Sequence, residues 1–260
     1  MSDYETVRYQ QDGFAAVITI NRPDAMNSFN AALRLDLGAA LQRAADDDSV
    51  RAVVLTGEGR SFSAGADLKA GFDQDMTIEQ ILQTSYRPII ETISNMRQPV
   101  IAAVNGSAAG IGFSIALACD LLMIADDAFL LSPFTTISLV PDGSLNWLLV
   151  HQLGYRRAFQ LSIESERIPA ARAVELGLAN KSVPAESLVD EAVGWAKKLS
   201  DRAPLSLAAT KKAMRHAAAS DWASTYDLEA TLQNELRGSN DCAEGVTAFF
   251  EKRKPEFKGK

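Results

Sequence analysis

The sequence predicts an α/β fold with mostly parallel strand connections, and three observations carry that expectation. Short runs rich in β-branched and other apolar residues, "VRAVVLTG", "QPVIAAVNG" and "LLMIA", have the length and composition of buried strands. Stretches with helical spacing separate them, the pattern of strands joined by crossover helices. From Leu145 onward, helical segments follow one another with few interruptions.

The elements can be justified in order. "TVRYQ" and "FAAVITI" flank the turn-like Gln11-Asp12-Gly13 and read as a hairpin. Asn30 is placed to cap the helical pattern "AALRLDLGAALQRAADD", whose apolar residues recur at three and four. After the run "VRAVVLTG" comes an amphipathic stretch from Thr77 to Met96, then "QPVIAAVNG", an apolar helix, and "LLMIA". Helices follow in "SLNWLLVHQLG", "YRRAFQLSI" and "AARAVELG", with a longer one after Pro184. Beyond Pro204 the pattern is helical through "LSLAATKKAMRHAAA", "WASTYDLEATLQNELRG" and "DCAEGVTAFFEKRK". A soft boundary near Arg202 divides an α/β body, residues 1–202, from a helical unit, residues 203–260. The latter has little core of its own, so packing on the body, on another subunit, or on both is expected.

Composition narrows the function classes. The chain has 260 residues, 47% of them hydrophobic and 23% charged, enough for one large domain or one with a small appendage. A net charge of -7 and a pI near 5.0 argue against a nucleic-acid partner, which needs a basic face. The tail "FFEKRKPEFKGK" does gather Lys252, Arg253, Lys254, Lys258 and Lys260, either a solvated end or a local patch for an anionic small molecule. No secretory pattern opens the chain and no apolar stretch reaches membrane-spanning length, so no membrane partner is expected. Cys119 and Cys242 are the only cysteines and lie outside metal-ligand spacing; a reducing cytoplasm is the simplest setting, and no metal site is expected. Neither "GEGRSFSAG" nor "GSAAGIG" supplies the Lys-Ser/Thr of a P-loop or the spacing of a dinucleotide fingerprint.

Those two glycine-rich stretches share a physical design. "SFSAGADLK" follows one buried run and carries Gly65 among small residues, with Asp67 suited to cap a helix beginning there. "NGSAAGIGFSIALACD" follows another and passes through Gly110 and Gly112 into an apolar helix. Glycine lets main chain approach a ligand, and a helix start leaves N–H groups unpaired. Two such turns facing each other could offer two donors to one oxygen, an oxyanion hole; the alternative is that the glycines only allow close helix packing.

The stretches "TINRPDAMNSFN", "SFSAGADLK", "VNGSAAGIGFSIALACD", "ERIPAARAVELGLANKSV" and "EGVTAFFEKRKPEFKGK" together resemble the enoyl-CoA hydratase/isomerase (crotonase) family, in the family's order and across essentially the whole chain. The resemblance implies a spiral of strand-strand-helix units, a helical C-terminal trimerisation region, and a coenzyme A thioester as substrate with no further cofactor. It implies a homotrimer or a dimer of trimers. It assigns the oxyanion donors to the main-chain N–H groups of Ala66 and Ile111. Isoleucine stands at 111 where the family commonly has glycine, which narrows the room beside the hole without removing the donor. Ala25, Ala64, Ala66, Asp67, Leu68 and Lys69 match positions along the coenzyme A channel, and Phe249 and Lys252 match C-terminal positions that reach its nucleotide end, often across a subunit boundary.

Family members that hydrate use two glutamates, and the matching positions here hold Ser114 and Phe134. A serine without a base partner does not titrate near neutrality and a phenylalanine cannot shuttle a proton. Attention therefore moves to Asp142 in "LVPDGSLNWLL". Pro-Asp-Gly is a good turn for purely local reasons. In the resembled family, the same position holds the aspartate base of isomerases and the nucleophile of a dehalogenase branch. Burial against Phe134, Leu139 and Trp147 would raise its pKa toward a useful base. His151, His216, Glu164 and Glu166 read as packing or surface residues. The leading expectation is an enoyl-CoA isomerase with Asp142 as base; a slow hydratase and a catalytically silent acyl-CoA-binding protein are the alternatives.

Overall fold

A computed structural model describes residues 4–69 and 75–260. The chain opens with the expected hairpin: β1 (Val7–Asp12) pairs antiparallel with β2 (Ala15–Ile20), and Gly13 takes the positive φ the tight turn requires. A single 3-10 turn, Pro23–Ala25, leads into α1 (Ala31–Asp46). Asn30 Oδ1 caps that helix by accepting from the Leu33 N–H at 2.9 Å.

Three repeats of one unit follow. β3 (Ala52–Gly57) and β4 (Ser61–Ser63) precede a helical segment made of α2 (Ile78–Ile81), a π-helical turn (Leu82–Tyr86) and α3 (Arg87–Asn95). Thr77 starts it with a capping box to Gln80. β5 (Val100–Val104) and β6 (Ser107–Ala109) precede α4 (Ile111–Ala118). β7 (Leu121–Ala125) and β8 (Phe129–Leu131) precede a 3-10 turn (Phe134–Ile137), α5 (Leu145–Leu153) and α6 (Tyr155–Glu164).

The first strand of each unit joins one sheet and the second joins another. The larger sheet runs β1-β2-β3-β5-β7-β10 and the smaller β4-β6-β8-β9, where β9 is Ile168–Pro169 and β10 is Lys181–Val183. From β2 to β10 the larger sheet is parallel. The chain thus climbs as a spiral of strand-strand-helix units. β3 and β5 are buried along their whole length, which is why they read as continuous apolar runs without alternation. Between β9 and β10 lies α7 (Ala170–Glu175), and α8 (Leu188–Ser200) packs on the larger sheet.

The smaller sheet is implied by the family resemblance but is not legible in the local sequence pattern. Its strands are two or three residues long, and β4 and β6 are built from serine and alanine with one phenylalanine, so neither β propensity nor period marks them.

The C-terminal region consists of α9 (Pro204–Ala217), α10 (Trp222–Arg237) and α11 (Asn240–Glu251). It is fastened to the body by buried polar contacts. Lys211 Nζ donates to the Ile93 oxygen at 2.7 Å and pairs with Asp120 at 2.7 Å, while Arg215 reaches Asp120 at 2.8 Å. Arg51 donates to the Phe257 oxygen at 2.9 Å. Much of the outer face of these helices remains exposed and aromatic: Trp222 is 80% exposed, and Phe249 and Phe250 are 77% exposed. Among the described residues, no helix is long and apolar enough to cross a membrane.

Candidate active site

The two glycine turns leave the ends of adjacent strands of the smaller sheet, since β4 pairs in parallel with β6. They meet. A Cβ built on Gly65, whose φ is +98°, would lie 3.0 Å from the Ala109 oxygen and 3.6 Å from the Gly110 Cα. One built on Gly110, φ +54°, would lie 3.7 Å from the Gly65 Cα. Both positions need glycine for conformation, and Gly65 also for the close approach to the Ala109 oxygen.

The turns aim the following amides. Phe29 forms a parallel bridge with Ala66: its N–H donates to the Gly65 oxygen at 2.7 Å, and its oxygen accepts from the Asp67 N–H at 3.1 Å. The Ala66 N–H therefore points away from Phe29. Ile111 is the first residue of α4, where an N–H has no intrahelical acceptor. Neither amide donates to a backbone acceptor among the described residues. The buried Asn27 side chain braces this arrangement by donating to the Ser61 oxygen at 2.6 Å and the Glu58 oxygen at 2.9 Å.

A cavity of about 370 Å³ opens beside these turns. Its lining includes Ala66, Ile111 and Asp142, with apolar walls from Phe29, Ile81 and Phe134. The main chain of Asp142 does form a turn, but one residue later than Pro-Asp-Gly suggests. The Leu145 N–H donates to the Asp142 oxygen at 3.1 Å, with Gly143 and Ser144 at positive φ between them, a type I′ geometry. Ser114 Oγ donates to the same oxygen at 2.9 Å. The side chain is left for the cavity. Its Oδ1 is buried without a hydrogen-bond partner, and burial raises its pKa from 3.8 to about 6. A carboxylate so poised, beside two free amides, can take and return a proton on a carbon whose carbonyl those amides polarise.

The remaining sequence-predicted residues divide. Ala64, Asp67 and Leu68 line the cavity. Asp67 accepts from the Lys69 N–H at 3.2 Å and pairs with Arg22 at 3.0 Å; the helix it was expected to cap would run into residues 70–74, which lie outside the described residues. Lys69 is exposed beside that turn and Ala25 ends the 3-10 turn after β2; neither lines the cavity, although the Ala64 N–H ties to the Met26 oxygen at 2.9 Å. Phe249 and Lys252 lie at the end of α11, outside the cavity of their own chain.

Ser114 and Phe134 are both buried near Asp142, and Phe134 forms part of the wall. Trp147, expected to bury Asp142, is 41% exposed and lies against His151 instead, with ring centroids 4.0 Å apart. His216 bonds Ser224 and Glu164 bonds Gln160, and like His151 and Glu166 they stand outside the cavity. Ile78, Ile81, Leu82 and Tyr86, at the start of the helical segment after β4, also line the cavity; residues 70–74 lie outside the described residues. Sequence reasoning missed Phe29 and Arg34. Nothing in the helical pattern around Arg34 distinguishes it from a surface cation.

Residues 11–260 match the family described as enoyl-CoA hydratase/isomerase. A probable enoyl-CoA hydratase of Rhodobacter capsulatus is 40% identical over 257 residues, covering 99% of each chain. The 1,2-epoxyphenylacetyl-CoA isomerase of Escherichia coli is 35% identical over 251 residues, 94% of each. The crystal structure of an enoyl-CoA hydratase from Bacillus anthracis superposes with a TM-score of 0.94 at 31% identity, covering 98% of this chain and all of the other.

Proposed function

The chain belongs to the enoyl-CoA hydratase/isomerase family, and on that premise we propose that it is an isomerase that moves a double bond, or opens a ring, next to a coenzyme A thioester. Relatives bear both hydratase and isomerase names, so similarity alone does not choose between them. The choice rests on one observation: Asp142 is the cavity's unpaired carboxylate, while Ser114 and Phe134 occupy the positions at which the hydrating pattern needs glutamates.

In this reading the thioester oxygen accepts hydrogen bonds from the Ala66 and Ile111 amides. Electron density drawn onto that oxygen acidifies the carbons conjugated with it. Asp142 removes a proton from one of those carbons, the electron pair moves into the enolate, and the carboxyl group, free to exchange with solvent, delivers a proton at the other end of the conjugated system. No atom is gained or lost. The reaction needs no metal or further cofactor, because the two amides supply the polarisation. Losing one such donor costs about two to three orders of magnitude in rate.

Ala25, Ala64, Asp67, Leu68 and Lys69 would run along the coenzyme A, with Phe249 and Lys252 reaching its nucleotide end from a neighbouring subunit. The exposed aromatic face of residues 203–260 supports a role for that region in a homotrimer or a dimer of trimers. A cytoplasmic setting accords with two cysteines left as free thiols.

Incubating a set of enoyl-CoA thioesters in heavy-oxygen water, with product masses read by mass spectrometry, tests the proposal. Isomers without label support it. A labelled hydroxyacyl-CoA as the main product would favour the slow hydratase, in which Asp142 activates water.

A further inference from the structure

Three charged side chains line the cavity among the described residues: Arg34, Asp67 and Asp142. Asp67 is paired with Arg22 at 3.0 Å. Asp142 is shifted by burial with no cation compensating it. Arg34, on α1 between the buried Leu33 and Leu37, makes no ion pair among the described residues, and its Nε is buried with no hydrogen-bond partner. Its guanidinium lies 5.4 Å from the centre of the Tyr86 ring. Tyr86 is within electrostatic reach of both Arg34 and Asp142.

An unpaired guanidinium donor inside walls built from Phe29, Ile78, Ile81 and Phe134 is costly, because a buried donor without an acceptor forfeits the bonds it made to water. A wholly apolar acyl chain would leave that cost in place when it filled the cavity. Guanidinium has a planar fork of donors that suits a carboxylate better than any single neutral oxygen. Burial also keeps the Tyr86 hydroxyl protonated, which makes it a second donor.

We propose that Arg34, with Tyr86, receives a carboxylate carried at the far end of the acyl chain, so that the preferred substrates are monothioesters of dicarboxylic acids. This specificity rests on the reading of the cavity as an acyl-CoA site.

The test pairs enoyl-CoA thioesters of equal length that end in methyl or in carboxylate, across several lengths, and takes the ratio of kcat/KM within each pair. A charge-assisted hydrogen-bonded contact gives a preference of about 10–100-fold for the carboxylate at the best length. That ratio is expected to collapse toward unity in Arg34→Leu and to survive in part in Arg34→Lys. Calorimetric binding of the matching saturated thioesters reads the same preference without chemistry, so a failure of the isomerase reading would leave this measurement intact. A wild-type preference for methyl ends, or a ratio unchanged by Arg34→Leu, overturns the proposal. So does Arg34→Leu slowing both members of a pair equally while moving the pH profile, since Arg34 would then be serving Asp142.

Discussion

Ser114 Oγ donates to the main-chain oxygen of Asp142 at 2.9 Å, joining the first turn of α4 to the turn that carries the cavity's free carboxylate. The contact sets Asp142 relative to Ile111, because Ser114 belongs to the helix whose start supplies the Ile111 amide. Ser114→Ala removes one of the two donors to that oxygen, the Leu145 N–H being the other. The expected cost is about 1 kcal/mol of stability. A positioning role further requires kcat to fall several-fold with KM little changed, which steady-state kinetics on an isomerised thioester would read.

Activity should depend on Asp142 being ionised. With its pKa raised to about 6, kcat/KM is expected to be flat above neutrality and to fall tenfold per pH unit well below 6. A profile flat down to the ordinary carboxyl value near 4 would mean that another group moves the proton.

The same carboxyl should make the fold weaker, not stronger, as pH rises. A group whose pKa is raised by folding binds its proton more tightly in the folded state, so stability declines between about 4 and about 6 and is level above that. The full shift from 3.8 to about 6 corresponds to at most ~3 kcal/mol, and solvent screening leaves on the order of 1–2 kcal/mol. Asp142→Asn, which does not titrate, is therefore expected to be more stable than the parent at pH 8, with the gap closing toward pH 4. Urea unfolding at both pH values checks this; a variant less stable at pH 8 would contradict it.

Gly143 admits no side chain. Its φ is +59°, and an added Cβ would come within 2.3 Å of Ile111 Cδ1 and 3.0 Å of Ser114 Cβ. Isoleucine at 111, bulkier than the family's glycine, is accommodated because Gly143 leaves room for it. Gly143→Ala should cost about 1–3 kcal/mol and displace Asp142, lowering kcat at least as much as Ser114→Ala does. Thermal unfolding and turnover together would show it, and wild-type values for both would refute the packing described.

How far the sequence could be read follows from where each signal originates. β3, β5 and β7 announce themselves because burial on both faces demands unbroken apolar runs. β4 and β6 do not, since three-residue strands of mostly small residues carry no periodicity, although the oxyanion turns hang from them. The glycines of those turns were visible, but their meeting followed only from the family resemblance and not from spacing, since Gly65 and Gly110 are distant in sequence and adjacent only through strand pairing. Asp142 looked like a turn residue on local statistics, and its main chain is one; only its side chain, freed for the cavity, carries the chemistry proposed. The ion pair of Asp67 with Arg22 was invisible because a contact across 45 residues leaves no local signal. Trp147 misled for a related reason, its ring turning outward onto His151 along one face of α5.

The most direct test is deuterium exchange into the acyl carbons of a bound enoyl-CoA in heavy water, followed by mass spectrometry for the parent enzyme and Asp142→Asn. If Asp142 moves the proton while the Ala66 and Ile111 amides hold the carbonyl, the parent incorporates deuterium next to or conjugated with the thioester. The variant, folded and still binding the thioester, should do so at least about a hundredfold more slowly. Equal exchange rates in the two proteins would contradict that assignment.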